Sequence, residues 1–204
     1  MIITQVTAVD KSRVRVSFDD SQNLVLYKGE LRKLGLEEGM HVSDELYEQM
    51  YHEIVGKRAI KRAMHLLEKM DRTEEQLRQK LLQGEYPPQL AEEALDYVKS
   101  YHYIDDERYA RTFIRLRQEH RSAARMKMDL LSKGVSAEII ERALEEELEV
   151  SPEALIRKLL EKKHYNPDTA SLKETGKMFQ FLLRRGFRRN EIMHVLRDDG
   201  SGWG

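Results

Sequence analysis

Cysteine is absent from the 204 residues, which excludes disulfides, thiolate metal sites and a cysteine nucleophile. Aromatic residues are scarce at 7%, with a single tryptophan at position 203. No run approaches the ~18 apolar residues that a membrane span requires. The N-terminal stretch MIITQVTAVD has no basic region followed by an apolar segment, so a secretory signal is not expected. A soluble, cytoplasmic protein follows as the expectation. Chemistry-bearing motifs are missing as well. The only glycine-rich segment, GSGWG at the C-terminus, has the wrong spacing for a phosphate loop, and it is expected to fray. Seven histidines, at 41, 52, 65, 102, 120, 164 and 194, form no HExxH and no pair at metal-ligand spacing, so surface or packing roles are assigned to them. No serine stands in a nucleophile elbow. Asp105-Asp106-Glu107 reads as a helix start rather than a metal site, because acids complement the helix dipole there. Neither an enzyme nor a cofactor is expected.

Charge is abundant, at 35% of residues, and nearly balanced, with a net charge of −1. The balance hides a segregation. Residues 108 to 133 carry eight basic groups, Arg108, Arg111, Arg115, Arg117, Arg121, Arg125, Lys127 and Lys133, against Glu119 and Asp129. Residues 134 to 150 carry six glutamates against Arg142. A chain neutral overall can therefore present a basic face to a polyanion.

The first thirty residues carry strand signals. Val14, Val16 and Phe18 alternate with polar neighbours, Asp19 to Asn23 form a turn cluster, and Leu24 to Tyr27 resume the apolar run. Ile2 to Val9 supply a third strand. A helix capped by Ser43, with Leu46, Met50 and Ile54 on one face, is expected to cover this small sheet.

From about residue 57 the helical period takes over, and the chain repeats itself. RTEEQLRQKLLQGEYPPQLAEEAL from Arg72, RSAARMKMDLLSKGVSAEIIERAL from Arg121 and KETGKMFQFLLRRGFRRNEIMHVL from Lys173 align without gaps. The register matches Leu77, Met126 and Met178, then the leucine pairs at 81–82, 130–131 and 182–183, then Tyr86, Val135 and Phe187. Gly134 and Gly186 follow the second leucine, where a helix end favours a left-handed residue. In the first copy Gly84 comes one place early and Glu85 takes the aligned position, which suggests a turn built differently. Pro87-Pro88, Ser136 and Asn190 suit the next helix start, and Thr73 with Gln76 and Ser171 with Glu174 read as capping boxes. A further helix precedes each pair, entered through Asp105-Asp106 in the second copy and Ser151-Pro152 in the third. The expected architecture is mainly α: three tandem three-helix units of helix-turn-helix character, stacked into an elongated curved rod, behind the small N-terminal β region. The expected boundaries are 1–55, 56–104, 105–150, 151–199 and a tail at 200–204.

Arg108, Arg111 and Arg115 fall at i, i+3 and i+7 and share one helix side, with Arg117 off that stripe. Arg121 opens the next helix, with Arg125 four residues on and Lys127 beyond. The third copy adds Arg184, Arg185, Arg188 and Arg189 around its turn. These eleven residues form the candidate partner or DNA-binding face, since the guanidinium fork suits phosphate and carboxylate alike. No Asn/Gln-rich face suggests base-specific reading. Tyr86, Tyr97, Tyr101, Tyr103 and Tyr109 are read as core and rim packing rather than a base-stacking platform.

KRAIKRAMHLLEKMDRTEEQLRQKL, YVKSYHYIDDERYARTFIR, the LLSKGVS turn and the N-terminal VSFDDSQNLVLYKGEL together resemble the RecX family of RecA regulators. The resemblance covers nearly the whole chain and is most specific at residues 72–81 and 103–110. It implies an all-helical repeat region and a protein that binds the RecA recombinase filament on single-stranded DNA. It further implies that the protein modulates that filament, usually by inhibiting it, within DNA repair, recombination and the SOS response. It transfers no catalytic residues. The expected partners are the RecA filament and, directly, single- or double-stranded DNA; a monomer without membrane association is expected. Two other classes stay open: a nucleic-acid-binding protein acting without RecA, and an inert helical scaffold.

Overall fold

The computed structural model describes residues 1–167 and 169–197; the glycine-rich tail at 200–204 lies outside them. The chain divides into two compact units, Met1–Asp105 and the residues from Asp106 onward.

In the first unit, β1 (Ile3–Ala8), β2 (Arg13–Phe18) and β3 (Asn23–Tyr27) form an antiparallel meander in chain order. The period of two in β2 turns Val14, Val16 and Phe18 into the core. Val14 lies opposite Leu26, and Val16 lies opposite Leu24 and Val6. The helices α1 (Lys28–Leu34) and α2 (Asp44–Glu48) follow, α2 capped by Ser43, whose Oγ accepts from the Leu46 N–H at 3.2 Å. A π-helical stretch, Gln49–Gly56, then leads into the first triplet. Its wider turn changes the expected face. Met50 and Val55 are buried, five residues apart, whereas Leu46 and Ile54 are only half-buried. Gly56 lets this stretch approach Leu90, since a Cβ there would stand 3.3 Å from its Cδ2.

The remainder is three triplets of one pattern. They are α3 (Lys57–Lys69), α4 (Glu74–Gln83) and α5 (Pro88–Ser100); α6 (Asp106–Arg117), α7 (Ala123–Leu131) and α8 (Ala137–Glu147); and α9 (Pro152–Lys162), α10 (Leu172–Arg184) and α11 (Arg189–Arg197). In each, the first and third helices pack together and the second packs on the third. Each triplet encloses its own apolar cluster, centred on Leu77 and Leu81, on Met126 and Leu130, and on Leu182. Leu82 and Leu131, the second leucines of the first two pairs, are exposed instead. Thr73 and Ser171 make the expected capping boxes, and Ser136 and Ser151 cap α8 and α9. Asn190 does not cap α11. It sits within the first turn, and the Arg188 N–H donates to Glu191 at 2.7 Å.

The three inter-helix turns are the same turn, contrary to the expectation for the first copy. Glu85 N–H donates to Leu82 and Tyr86 N–H to Leu81; Gly134 and Val135 repeat this onto Leu131 and Leu130, and Gly186 and Phe187 onto Leu183 and Leu182. This double bond pattern satisfies the last carbonyls of the helix and needs a left-handed residue at the first donor. The φ values there are +63° at Glu85, +85° at Gly134 and +87° at Gly186. Glu85 thus adopts the strained conformation that glycine fills elsewhere, and its carboxylate pairs with Arg15 of β2.

Two left-handed glycines separate strain from crowding. A Cβ at Gly35 would meet nothing within 4 Å, whereas one at Gly186 would stand 2.5 Å from Arg125 Cβ and 2.7 Å from Ser122 Oγ. Gly35→Ala should cost about 1 kcal/mol, from backbone strain alone. Gly186→Ala should cost about 3 kcal/mol or more, because strain and overlap add. Urea unfolding of the two variants checks the difference, and equal losses would show the Gly186 contact to be unimportant.

Candidate functional site

The crowding at Gly186 marks where the third triplet meets the second. α7 is capped by Ser122, which is buried and accepts from the Arg125 N–H at 3.2 Å. The Ser122 N–H donates to the Arg185 carbonyl at 3.1 Å. The left-handed turn after α10 therefore sits directly on the start of α7. Arg121 does not open α7, as its sequence position suggested, but precedes the cap.

This seating gathers arginines from both triplets. Arg117, His120, Arg121, Arg125, Arg184 and Arg185 line a cleft of about 600 Å³. Two of the guanidiniums lie over aromatic rings, Arg117 at 4.1 Å from the Phe113 centroid and Arg185 at 3.8 Å from that of Phe181. Each ring precedes its arginine by four residues on the same helix face, and stacking leaves the N–H edges of the planar fork directed elsewhere. Asp129, little exposed, pairs with both Arg121 and Arg125. Among the described residues neither Arg117 nor Arg184 has an ion pair. Arg185 is half-buried, and its Nε is buried without a hydrogen-bond partner. Burial, with Arg184 and Arg121 nearby, holds its pKa below the ordinary arginine value. The cleft thus gathers like charges, Arg185 half-buried and Arg125 and Arg184 exposed, with one carboxylate among them, an arrangement suited to an anion.

The other candidate arginines are placed differently. Arg111 pairs with Glu107 and with Glu146, and Arg115 forms a bidentate pair with Glu147 at 2.9 and 2.8 Å. Lys127 pairs with Glu141. The acidic run of α8 therefore faces the basic run of α6 and α7, and the segregation seen along the sequence becomes pairing across the triplet. Arg108 is exposed on α6. Arg188 and Arg189 are exposed beyond the turn and do not line the cleft. His120, read from the sequence as a surface or packing residue, lines the cleft, and the supporting role of Phe113 and Phe181 escaped the sequence reading, although the Phe-x-x-x-Arg spacing shared by 113–117 and 181–185 was a usable signal. Tyr97, Tyr101 and Tyr103 are not core residues; all three are exposed and contact one another at ring-centroid distances of 4.9 and 5.9 Å. Among the described residues, no group of three or more His, Asp or Glu is placed to hold a metal ion, and no helix is long and apolar enough to cross a membrane.

Like-charge crowding predicts a stability effect. Arg184→Gln should stabilise the protein by about 0.5 kcal/mol at low salt. The gain should vanish near 1 M salt, where the screening length is about 3 Å. Thermal unfolding at two salt concentrations measures it; a loss of stability at low salt would contradict the crowding.

Comparison with known proteins gives a consistent family assignment. Residues 59–97, 105–144 and 152–196 match the family models for the first, second and third three-helix domains of RecX. The chain is 33% identical over 202 residues to the regulatory protein RecX of Caldanaerobacter subterraneus subsp. tengcongensis, covering 96% of this chain and 98% of the relative. It is 34% identical over 142 residues to that of Actinobacillus pleuropneumoniae serotype 5b, covering 69% and 92%. Two solved structures share the fold. A regulatory protein RecX superposes with a TM-score of 0.59 at 19% identity, over 95% of this chain and 98% of that one. The RecX of Lactobacillus salivarius superposes with a TM-score of 0.58 at 21% identity, over 71% and 96%. Three consecutive matched domains and end-to-end identity of one third establish that the chain belongs to the RecX family of regulatory proteins.

Proposed function

We propose that this protein is a non-enzymatic cytoplasmic regulator that binds the RecA recombinase filament and lowers its activity, and so adjusts DNA repair and recombination. Family membership over the whole chain supports the partner. The arginine cleft between the second and third triplets supports the mode of contact. Arg117 and Arg184 carry charge that no carboxylate of the described protein neutralises, and it is therefore available to acidic RecA surface or to the DNA that RecA covers. Arg111 and Arg115 are committed to α8 and serve the triplet's own packing in this reading.

RecA ATPase on single-stranded DNA provides the test. A modest excess of the protein should reduce turnover. The double substitution Arg117→Glu/Arg184→Glu should raise the concentration for half-inhibition about tenfold or more, as expected for loss of charge-assisted contacts. Unchanged ATPase with the wild-type protein removes RecA from the account. Unchanged inhibition by the variant, with circular dichroism intact, removes the cleft from it.

A second reading, direct binding to nucleic acid without RecA, draws support from the exposed contact of Tyr97, Tyr101 and Tyr103. Aromatic faces of this kind stack with bases at about 1–3 kcal/mol each. On that reading Tyr101→Ala weakens binding to single-stranded DNA at least about fivefold, and affinity falls steeply with salt. Binding that is indifferent to both would eliminate it.

A further inference from the structure

The cleft carries more charge than a nucleic-acid backbone phosphate would neutralise. Five arginines line it, and Asp129 is the carboxylate paired among them. Its volume of about 600 Å³ is well beyond that of one oxyanion. Four of the five charges are also held by neighbours. Phe113 and Phe181 hold two guanidiniums flat, and Asp129 holds Arg121 and Arg125. A phosphodiester brings one negative charge and two free oxygens to such a site. A phosphoanhydride brings several charges and a run of adjacent oxygens in a compact volume, which suits converging forks that each donate paired hydrogen bonds. The Arg185 Nε is buried without a hydrogen-bond partner, so this cation is held in the cleft wall at a desolvation cost that the charge of a bound anion would offset.

We infer that the cleft formed by Arg117, Arg121, Arg125, Arg184 and Arg185 is a binding site for a phosphoanhydride, either free pyrophosphate or the polyphosphate tail of a nucleotide. This deepens the reading of the cleft as the working face of the regulator and rests on it for biological meaning. The binding itself requires no RecA. Occupancy would neutralise the cleft and compete with any acidic or phosphate-bearing partner for the same arginines, so the ligand would act on regulation by mass action.

Isothermal titration of the full chain alone, in magnesium-free buffer of low ionic strength, tests the site. Pyrophosphate should bind at least about tenfold more tightly than inorganic phosphate, because a second phosphate engages further guanidiniums. Arg184→Gln should weaken pyrophosphate binding about fivefold or more. Arg188→Gln, at an exposed arginine just beyond that turn that does not line the cleft, should leave it unchanged. A nucleoside triphosphate and its unphosphorylated nucleoside form the second arm. Triphosphate binding as tight as pyrophosphate, with none for the nucleoside, assigns the tail of a nucleotide as a source. Weaker triphosphate binding assigns the free anion. Three outcomes would each overturn the inference: pyrophosphate and phosphate binding alike, no saturable pyrophosphate binding below about 1 mM, or equal effects of the two substitutions. Since the titration contains no RecA, such a failure is distinct from a failure to inhibit RecA.

Discussion

At Gly186 a hydrogen atom stands where any other residue would drive a carbon to within 2.5 Å of the Arg125 Cβ. The backbone there is left-handed at +87°, so two independent constraints converge on glycine at one residue. The turn can therefore sit against the N-cap of α7, and the bond from the Ser122 N–H to the Arg185 carbonyl closes the contact. The geometry of the cleft follows from this seating. Arg184 and Arg185 end α10, Arg121 and Arg125 flank the cap that the turn touches, and Arg117 ends the helix before it. Five guanidiniums converge because a backbone contact places them together, and burial, with Arg184 and Arg121 nearby, holds the pKa of Arg185 below the ordinary arginine value. Groups held against their own repulsion are common at functional positions, where a ligand of opposite charge relieves the strain.

The same chain shows how charge becomes unavailable. The basic stripe of α6 and the acidic face of α8 lie against each other, and Arg111 and Arg115 end on Glu146 and Glu147. Pairs at such exposed sites contribute little stability each; their consequence is that these arginines are already engaged. An arginine's availability depends on its neighbours in space. By that measure Arg111, Arg115 and Lys127 leave the candidate face, Arg121 and Arg125 share the single carboxylate of Asp129, and Arg117 and Arg184 stay unpaired among the described residues.

Much of this was legible in the sequence because the repeat constrains itself. Three aligned copies give the triplet, and the period of two gives the sheet, since both patterns follow from burying one face. The family likeness was legible on the same residues. Several features were not. Glu85 occupies a position that the other copies give to glycine, and residue identity alone suggested another turn; backbone hydrogen bonding preserved the geometry. The shift of the buried face from Ile54 to Val55 depends on a π-helical turn that apolar spacing does not announce. Arg111 and Arg115 looked available because their partners lie about thirty residues away in the chain. The cleft had members in the sequence reading but no shape, because it arises from the contact between two triplets, and the significance of Ser122 emerges only there.

The shape of the cleft depends on the turn at Gly186 resting on the cap of α7, and the Ser122 amide reports on that contact directly. Native-state hydrogen exchange should find this amide about a hundredfold slower than an open loop amide, since its proton is held by the Arg185 carbonyl. In Gly186→Val that protection should disappear while the Leu130 amide, inside α7, keeps its own. A Ser122 amide exchanging at the loop rate in the unaltered protein would contradict the seating, and with it the convergence of the arginines.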